Sequence, residues 1–315
     1  MRYLIFLDID GTVLSHNGLH PRTKQGMADA IAAGHIVMLN TGRAKGNIPA
    51  SFLADMPISG LVAGLGSYIR YGDEVLYSRA MTDEEIALTM KVADDFDVTM
   101  VGEGEDTCFD YHGTWYSPKG NEVHSLAELH VKLPTMRVSK VGYRHPLCEA
   151  ATATLSSLFT VYNHPDYAEI VTRGHSKATA MEYLQQYFGI DRSHVIAMGD
   201  SLNDVEMLQA AGTAVVMGNG HPDVKPLAHM ITPPAHEGGV GYAIEQLVLG
   251  RKYMLLSGEA YSRRLEEFSD STLQLMADIN GMSKEKALKK TEIASNSDYS
   301  EEEVVRLLTE LKNSK

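Results

Sequence analysis

Two aspartates one residue apart, Asp8 and Asp10, stand just before a glycine in the stretch Asp8-Ile9-Asp10-Gly11-Thr12. At the end of a buried strand they would be costly to keep charged without a cation or hydrogen-bond donors. Candidate partners occur further along the chain. Thr41-Gly42-Arg43 offers a hydroxyl beside a bared backbone N–H, which suits one oxygen of a phosphate. Lys177 comes after Ser176, and Gly199-Asp200-Ser201-Leu202-Asn203-Asp204 adds two acids and an amide. Taken singly, these are ordinary turns, helix caps and a solvated lysine. Taken together, four carboxylates converging on one cleft repel one another unless a cation sits among them. Hard oxygen ligands with room for water and a phosphate describe Mg2+ better than zinc. The 13 histidines have no HxH or HExxH spacing that would compete. A carboxylate, a divalent metal, a lysine and a hydroxyl around one point make a phosphoryl-transfer site.

The elements that must position these groups are legible as buried strands that end at them. Tyr3 to Leu7 is a continuous apolar run, the mark of a parallel strand covered on both faces. Pro21 opens a helix that Gly34 ends, and His35 to Leu39 leads into Thr41-Gly42. Ile58 to Ala63 runs into Gly64-Leu65-Gly66-Ser67. Thr82-Asp83-Glu84-Glu85 then reads as a capping box, with Ile86, Met90, Ala93 and Phe96 on one helical face. Beyond that helix the order is mixed: strands at Val98–Val101, Thr107–Tyr111, Thr114–Tyr116, Met136–Tyr143 and Phe159–Tyr162, with a helix near Pro146–Leu158. The β/α alternation resumes with Ala168-Glu169-Ile170-Val171. Ser176 is an N-cap for the helix that carries Lys177 in its first turn, where a cation opposes the helix dipole unless an anion comes to meet it. Val195 to Met198 ends at Gly199-Asp200, Ala214–Met217 and Met230–Thr232 complete the sheet, and a last helix ends near Gly250.

The predicted class is α/β. A doubly wound, Rossmann-like parallel sheet (residues 1–79 and 173–250) carries an inserted α+β cap (80–172) and a helical C-terminal extension (251–315). The chain of 315 residues is long enough for a sizeable core, and its apolar runs are too short to span a bilayer. The opening run is too short for a signal peptide. Two cysteines, Cys108 and Cys148, make no disulfide framework, and a reducing cytoplasm is the expected address. The formal charge of -13 argues against non-specific nucleic-acid binding. Most of it lies in the first 250 residues, with 17 basic against 29 acidic side chains; the last 65 hold 11 against 12. An acidic body that binds phosphate must do so locally, through a metal and a few cations.

Asp8-Ile9-Asp10-Gly11-Thr12, Thr41-Gly42-Arg43, Lys177 and Gly199 to Asp204 resemble the four ordered motifs of the haloacid dehalogenase superfamily. The insertion between the second and third motifs is similar to that of the Cof-type sugar and cofactor phosphatases. The resemblance covers about residues 1–250 and implies an Mg2+-dependent phosphomonoester hydrolase. Asp8 would be the nucleophile that forms an aspartyl-phosphate, and Asp10 the acid and then the base. Mg2+ would be held by Asp8, the Asp10 backbone carbonyl and Asp200, while Asp204 would orient metal-bound water and Lys177. Thr41, the Gly42 and Ile9 N–H groups, Lys177 and Asn203 would hold phosphate oxygens. Relatives usually carry Asn-Gly-Ala where this chain has Gly64-Leu65-Gly66-Ser67, a change aimed at the contact between core and cap.

Two alternatives stand beside it: within the same chemistry a phosphomutase of the same superfamily, and from another class a non-enzymatic sensor or signalling module that binds a phosphorylated ligand. Receiver domains share the acidic cluster but lack an acid two residues after the nucleophile, so Asp10 discriminates. The expected partner is a small phosphorylated metabolite, a sugar phosphate or a phosphorylated cofactor or nucleotide, with neither nucleic acid nor membrane. The cap must choose it, since a grip on phosphate cannot tell alcohols apart. Phe109, Tyr111, His112, Trp115 and Tyr116 form the most aromatic hairpin of that insertion. In the tail, Tyr261, Leu265 and Phe268 make one helical stripe, and Val304, Leu307, Leu308 and Leu311 another behind the capping box Ser300–Glu303. Ser283–Lys290 reads as a short basic helix and Glu292–Asp298 as loose. These helices suit packing on the core, a homo-oligomer or a protein partner.

Overall fold

The computed structural model describes residues 2–115, 117–250, 264–280, 286, 290–291, 293–294 and 299–314. It divides into two units, Met1–Ile244 and Glu245–Lys315. In the first, β1 (Leu4–Leu7) is followed by a small hairpin of β2 (Leu14–Ser15) and β3 (Gly18–Leu19), then α1 (Pro21–Ala32) and β4 (Ile36–Asn40). Next come α2 (Ala50–Asp55), β5 (Gly60–Ala63) and the antiparallel pair β6 (Tyr68–Tyr71) and β7 (Glu74–Ser78). The middle of the chain holds α3 (Asp83–Asp95), β8 (Met100–Gly104), β9 (Cys108–Tyr111), α4 (Leu126–Lys132), β10 (Val138–Tyr143), α5 (Glu149–Leu155), β11 (Phe159–Asn163) and β12 (Ala168–Thr172). Then α6 (Lys177–Phe188), β13 (Val195–Gly199), α7 (Val205–Ala210), β14 (Thr213–Val216), β15 (Met230–Ile231) and α8 (Gly239–Leu247) complete the alternation.

Eight strands form one sheet in the order β15-β14-β13-β1-β4-β5-β6-β7. All neighbours through β5 are parallel, and the last two joins are antiparallel. The central strand β1 is wholly buried, which is why it reads as an unbroken apolar run. Leu7 pairs with Leu39 on one side and Met198 on the other, so Asp8, Asn40 and Gly199 emerge side by side at the carboxyl edge. Ligand sites of open α/β sheets lie at that edge.

Five strands form a separate antiparallel sheet, β11-β12-β10-β8-β9. One of its faces packs Met100, Val141, Tyr143 and Ile170 against Ile86 and Met90 of α3, Leu129 of α4 and Leu155 of α5. Thr82 and Glu85 close the capping box of α3 reciprocally, as the sequence suggests.

Four details differ from the sequence reading. Residues 68–78 form the hairpin β6–β7, turned at Gly72, whose φ of +55° suits glycine. Thr114 and Trp115 are not a strand: the Trp115 and Ser117 N–H groups both donate to the Asp110 carboxylate, which folds the segment into a loop. Tyr116 lies outside the described residues. The helix after Pro146 is shorter than expected, spanning Glu149–Leu155. Ala168–Thr172 does not belong to the parallel alternation, since its ladder partners are β10 and β11.

The second unit holds α9 (Asp270–Asn280) and α10 (Glu301–Asn313). Phe268, Met276, Ile279, Val304, Leu308 and Leu311 make an apolar core of their own. Ser300 caps α10, and the Glu301 carboxylate accepts from the Ser269 N–H and the Thr272 hydroxyl, joining the two helix starts. Tyr261 and most of the stretches 283–290 and 292–298 lie outside the described residues.

A β-bulge decides what the other face of the five-stranded sheet carries. Val138 pairs with Gly104 but Lys140 with Glu103, so β10 spends two residues where β8 spends one. Val138 and Val141 thereby share the apolar face, and Lys140 turns to the opposite one beside Glu103 and Glu169. Lys140 Nζ lies 2.5 Å from Glu169 Oε2 and 3.6 Å from Glu103 Oε1. Burial works against the charge of Glu169, but Lys140 and a hydrogen bond from His164 overcome it and hold the carboxyl at about 2, below its ordinary 4.5. A depressed carboxyl contributes stability above its ordinary pKa and loses it as pH falls through the folded value. Glu169→Gln should therefore destabilise the protein at pH 7, by up to about 3–5 kcal/mol, since it leaves the buried ammonium with the more distant Glu103 alone. The gap to the parent should shrink as pH falls from about 4.5 towards 2, as read by urea unfolding at several pH values. A gap that stays constant over that range would refute the assignment.

Candidate active site

The turn after β1 is built by backbone geometry. Gly11 N donates to Leu14 O at 2.8 Å and Leu14 N to Ile9 O at 2.7 Å, closing a loop around wholly buried Ile9. Gly11 has a φ of +81°, and a Cβ there would lie 2.2 Å from Asp200 Oδ2. Thr12 Oγ1 donates to Asp200 Oδ1 at 3.0 Å, so the first and last motifs are stitched together. On the Asp200 side, a Cβ at Gly199 would lie 2.5 Å from the Asp204 carboxyl carbon. Asp204 Oδ2 accepts the N–H groups of Asp200 and Ser201, each at 3.0 Å, which pins the turn that ends β13.

Lys177 is the cation at the centre. Ser176 caps α6 through the Thr179 N–H, and this fixes the first turn from which Lys177 projects. Its Nζ donates to Asp8 Oδ1 and Asp204 Oδ1, both at 2.6 Å, and to Asn203 Oδ1 at 3.1 Å. All three charged side chains are buried. The neighbouring strand end adds a tie, because the Asn40 amide donates to the Lys177 carbonyl at 3.0 Å.

Thr41 and Gly42 occupy the adjacent turn. Thr41 Oγ1 accepts from Arg43 N at 3.1 Å, while Gly64 N donates to Arg43 O and Leu65 N to Thr41 O. Leu65 holds a left-handed backbone, φ +54°, that a bulky side chain rarely adopts; its complete burial offsets the strain. Here the Gly64-Leu65-Gly66 segment braces the Thr41 turn and approaches Ser139 of the second sheet.

Three of the four acidic side chains come together. Ligand oxygens of Asp8, Asp200 and Asp204 lie within 4.8 Å of one another. The carboxylate of Asp10 points elsewhere, forming a two-pronged pair with the Arg43 guanidinium, Nε donating to Oδ2 at 2.7 Å. Burial foremost, then the neighbouring carboxylates, push Asp8 up to about 8 against the pull of Lys177, and Asp200 up to about 6. Lys177 is shifted upward, because its two carboxylates outweigh its burial. Three acids and one ammonium leave an excess of negative charge in a dry place. A hard dication matches this oxygen donor set, and Asp8 and Asp200 are the side chains that could hold it. Asp204 has both oxygens engaged by Lys177 and by backbone N–H groups, which makes it a brace.

Asp8 opens into a cavity of about 510 Å³. Asp10, Thr41, Gly42 and Asn203 line it from the turns described above; Glu103, Trp115, Lys140, Tyr167 and Glu169 line it from the second sheet and its loops. Sequence reasoning misses the charged members of the second group, although each charge interrupts an apolar strand, as in Ala168-Glu169-Ile170. Of the aromatic residues expected there, Phe109 and Tyr111 belong to the apolar core and His112 pairs with Asp97 at the surface. Trp115 alone of the described ones lines the cavity.

Among known proteins, the chain is 26% identical to "Putative phosphatase YkrA" of Bacillus subtilis (strain 168), over 78% of its own length and 98% of that protein. It is 27% identical to the 5-amino-6-(5-phospho-D-ribitylamino)uracil phosphatase YitU of the same organism, over 78% and 97%. The fold is shared with BT1666 of Bacteroides thetaiotaomicron, at a TM-score of 0.67 and 23% identity, covering 78% of this chain and 95% of that one. The profile of the haloacid dehalogenase-like hydrolases matches residues 5–244, a span that takes in all four site-bearing turns. With Asp8, Thr41, Lys177 and Asp200 gathered at one sheet edge inside that span, the chain belongs to the haloacid dehalogenase-like hydrolase family.

Proposed function

We propose that this protein is an Mg2+-dependent phosphatase that hydrolyses a small phosphomonoester, a sugar phosphate or a phosphorylated cofactor or nucleotide, through an aspartyl-phosphate. The observation that carries the reading is the buried Asp8 carboxylate, gripped on one oxygen by Lys177 and open to the cavity. Relatives named as phosphatases support the same class. Residues 80–172 act as a cap over the core of residues 1–79 and 173–250, a division supported by the separate five-stranded sheet. Residues 251–315 are the helical extension.

Lys177 holds Asp8 Oδ1, so Oδ2 attacks phosphorus. The bond from phosphorus to the ester oxygen breaks, and Asp10 gives that oxygen its proton. In the second half Asp10 takes a proton from water as the water attacks phosphorus, the Asp8–phosphorus bond breaks and phosphate leaves. To do this Asp10 turns one oxygen to the ester and keeps Arg43 on the other. The Thr41 hydroxyl, the Gly42 and Ile9 N–H groups, the Asn203 amide and Lys177 hold the transferring oxygens. Asp8, Asp200 and the Asp10 carbonyl would hold Mg2+, which would supply positive charge that offsets the phosphate and the clustered acids.

Phosphate release from a panel of sugar phosphates, nucleotides, flavin mononucleotide and pyridoxal phosphate should require Mg2+, stop with chelator, and fall at least about 10³-fold in Asp8→Asn. Turnover that survives in Asp8→Asn would sink the nucleophile assignment. Metal binding also has a readout apart from turnover. Mg2+ at 100 times its dissociation constant should stabilise the protein by about 2.7 kcal/mol, seen as a raised Tm. Asp200→Asn should abolish most of that rise, and an undiminished shift would remove Asp200 from the ligand set.

A further inference from the structure

The cavity is one continuous space, and the wall that the second sheet supplies has a charge of its own. Glu103 stands opposite Lys140 across β8 and β10, and Glu169 opposite Gly142 across β10 and β12. Glu103, Lys140 and Glu169 are 4%, 6% and 3% exposed. Buried charges in such an arrangement do little for stability compared with apolar residues, so a cluster of them facing a cavity points to a role in recognition.

The single ammonium of this wall is already spent. Lys140 Nζ pairs with Glu169 Oε2 at 2.5 Å and donates to the Gly42 carbonyl at 2.9 Å. The other cation on the lining, Arg43, grips both oxygens of Asp10 and keeps one of them when the other turns to the ester oxygen. His164 reaches Glu169 Oε1 at 3.1 Å but is not part of the cavity lining. Two carboxylates against one ammonium leave the wall with a net negative charge.

Beside the carboxylates lies an aromatic face. A Cβ at Gly142 would come 3.3 Å from Trp115 Cζ3 and 3.5 Å from Glu103 Oε1, so glycine leaves the ring and the carboxylate their places on the strand. The Trp115 N–H is anchored on Asp110. Carboxylate oxygens accept from hydroxyls or an ammonium, and an aromatic face covers the apolar side of a carbon skeleton.

We propose that Glu103, Lys140, Glu169 and Trp115 choose the alcohol by charge. They admit a leaving group that bears hydroxyls or an ammonium and turn away one that bears a second anion. This rests on the phosphatase reading above. Because the carboxylates are buried, their repulsion of an incoming anion is weakly screened, and a like charge there has no partner to meet.

The test compares matched esters at pH 7. Glycerol 3-phosphate and ethanolamine phosphate are set against 3-phosphoglycerate, and glucose 6-phosphate and glucosamine 6-phosphate against 6-phosphogluconate. Acetyl phosphate, whose acetyl group carries no hydroxyl, ammonium or second anionic group, reports the chemistry. In the parent enzyme kcat/KM for the neutral and ammonium members should exceed that of the anionic member by at least about tenfold. Glu103→Gln and Glu169→Gln should each narrow that ratio. Anionic members turned over as well as their partners by the parent enzyme would overturn the proposal without any variant having to fold. So would a ratio that neither folded variant moves. Absence of chelator-sensitive release from acetyl phosphate would instead count against the phosphatase reading itself.

Discussion

One ammonium group, Lys177 Nζ, lies 2.6 Å from each of two buried carboxylates. Asp8 follows β1, Asp204 comes after the end of β13, and Lys177 opens α6, so three separate parts of the chain meet at one nitrogen. None of the three charges could remain there alone, because each has lost its water. The pair of contacts also fixes the rotation of α6, whose first carbonyl is held by Asn40 at the end of β4. Removing the ammonium would leave Asp8, Asp200 and Asp204 facing one another, and the turns that carry them would no longer have a reason to converge.

How much of this the sequence announces depends on distance along the chain. The strands that end at Asp8, Thr41 and Asp200 are plain because each is an apolar run closed by a glycine-bearing turn, a local pattern. The caps at Thr82 and Ser176 are plain for the same reason. Relations across the chain are not. Nothing in residues 168–172 says that they pair with β10 and β11 instead of extending the parallel sheet. Asp110 folding the Trp115 segment by accepting its N–H groups is equally invisible, since the aromatic run reads as a strand by propensity.

The bulge in β10 shows the same limit in its sharpest form. By simple alternation Val138 and Lys140 would share a face, and the lysine would point among valines and tyrosines. One extra residue resolves the conflict, leaving Val138 and Val141 inside and turning Lys140 towards Gly42. Lys140 thus ties the second sheet to the turn that carries Thr41. A charge inside an apolar strand is the one signal that could have drawn attention to Glu103, Lys140 and Glu169 beforehand.

Gly199 illustrates how order of change is built into the site. A Cβ there would collide with the Asp204 carboxyl, which is itself fixed by two backbone N–H groups. The Asp204 Cβ would lie as close, at 2.6 Å, so loss of the carboxylate alone does not free the position. A descendant of this chain that exchanged Asp204 for any residue with a Cβ would still need the glycine, and an intact Gly199 would outlast the chemistry it serves.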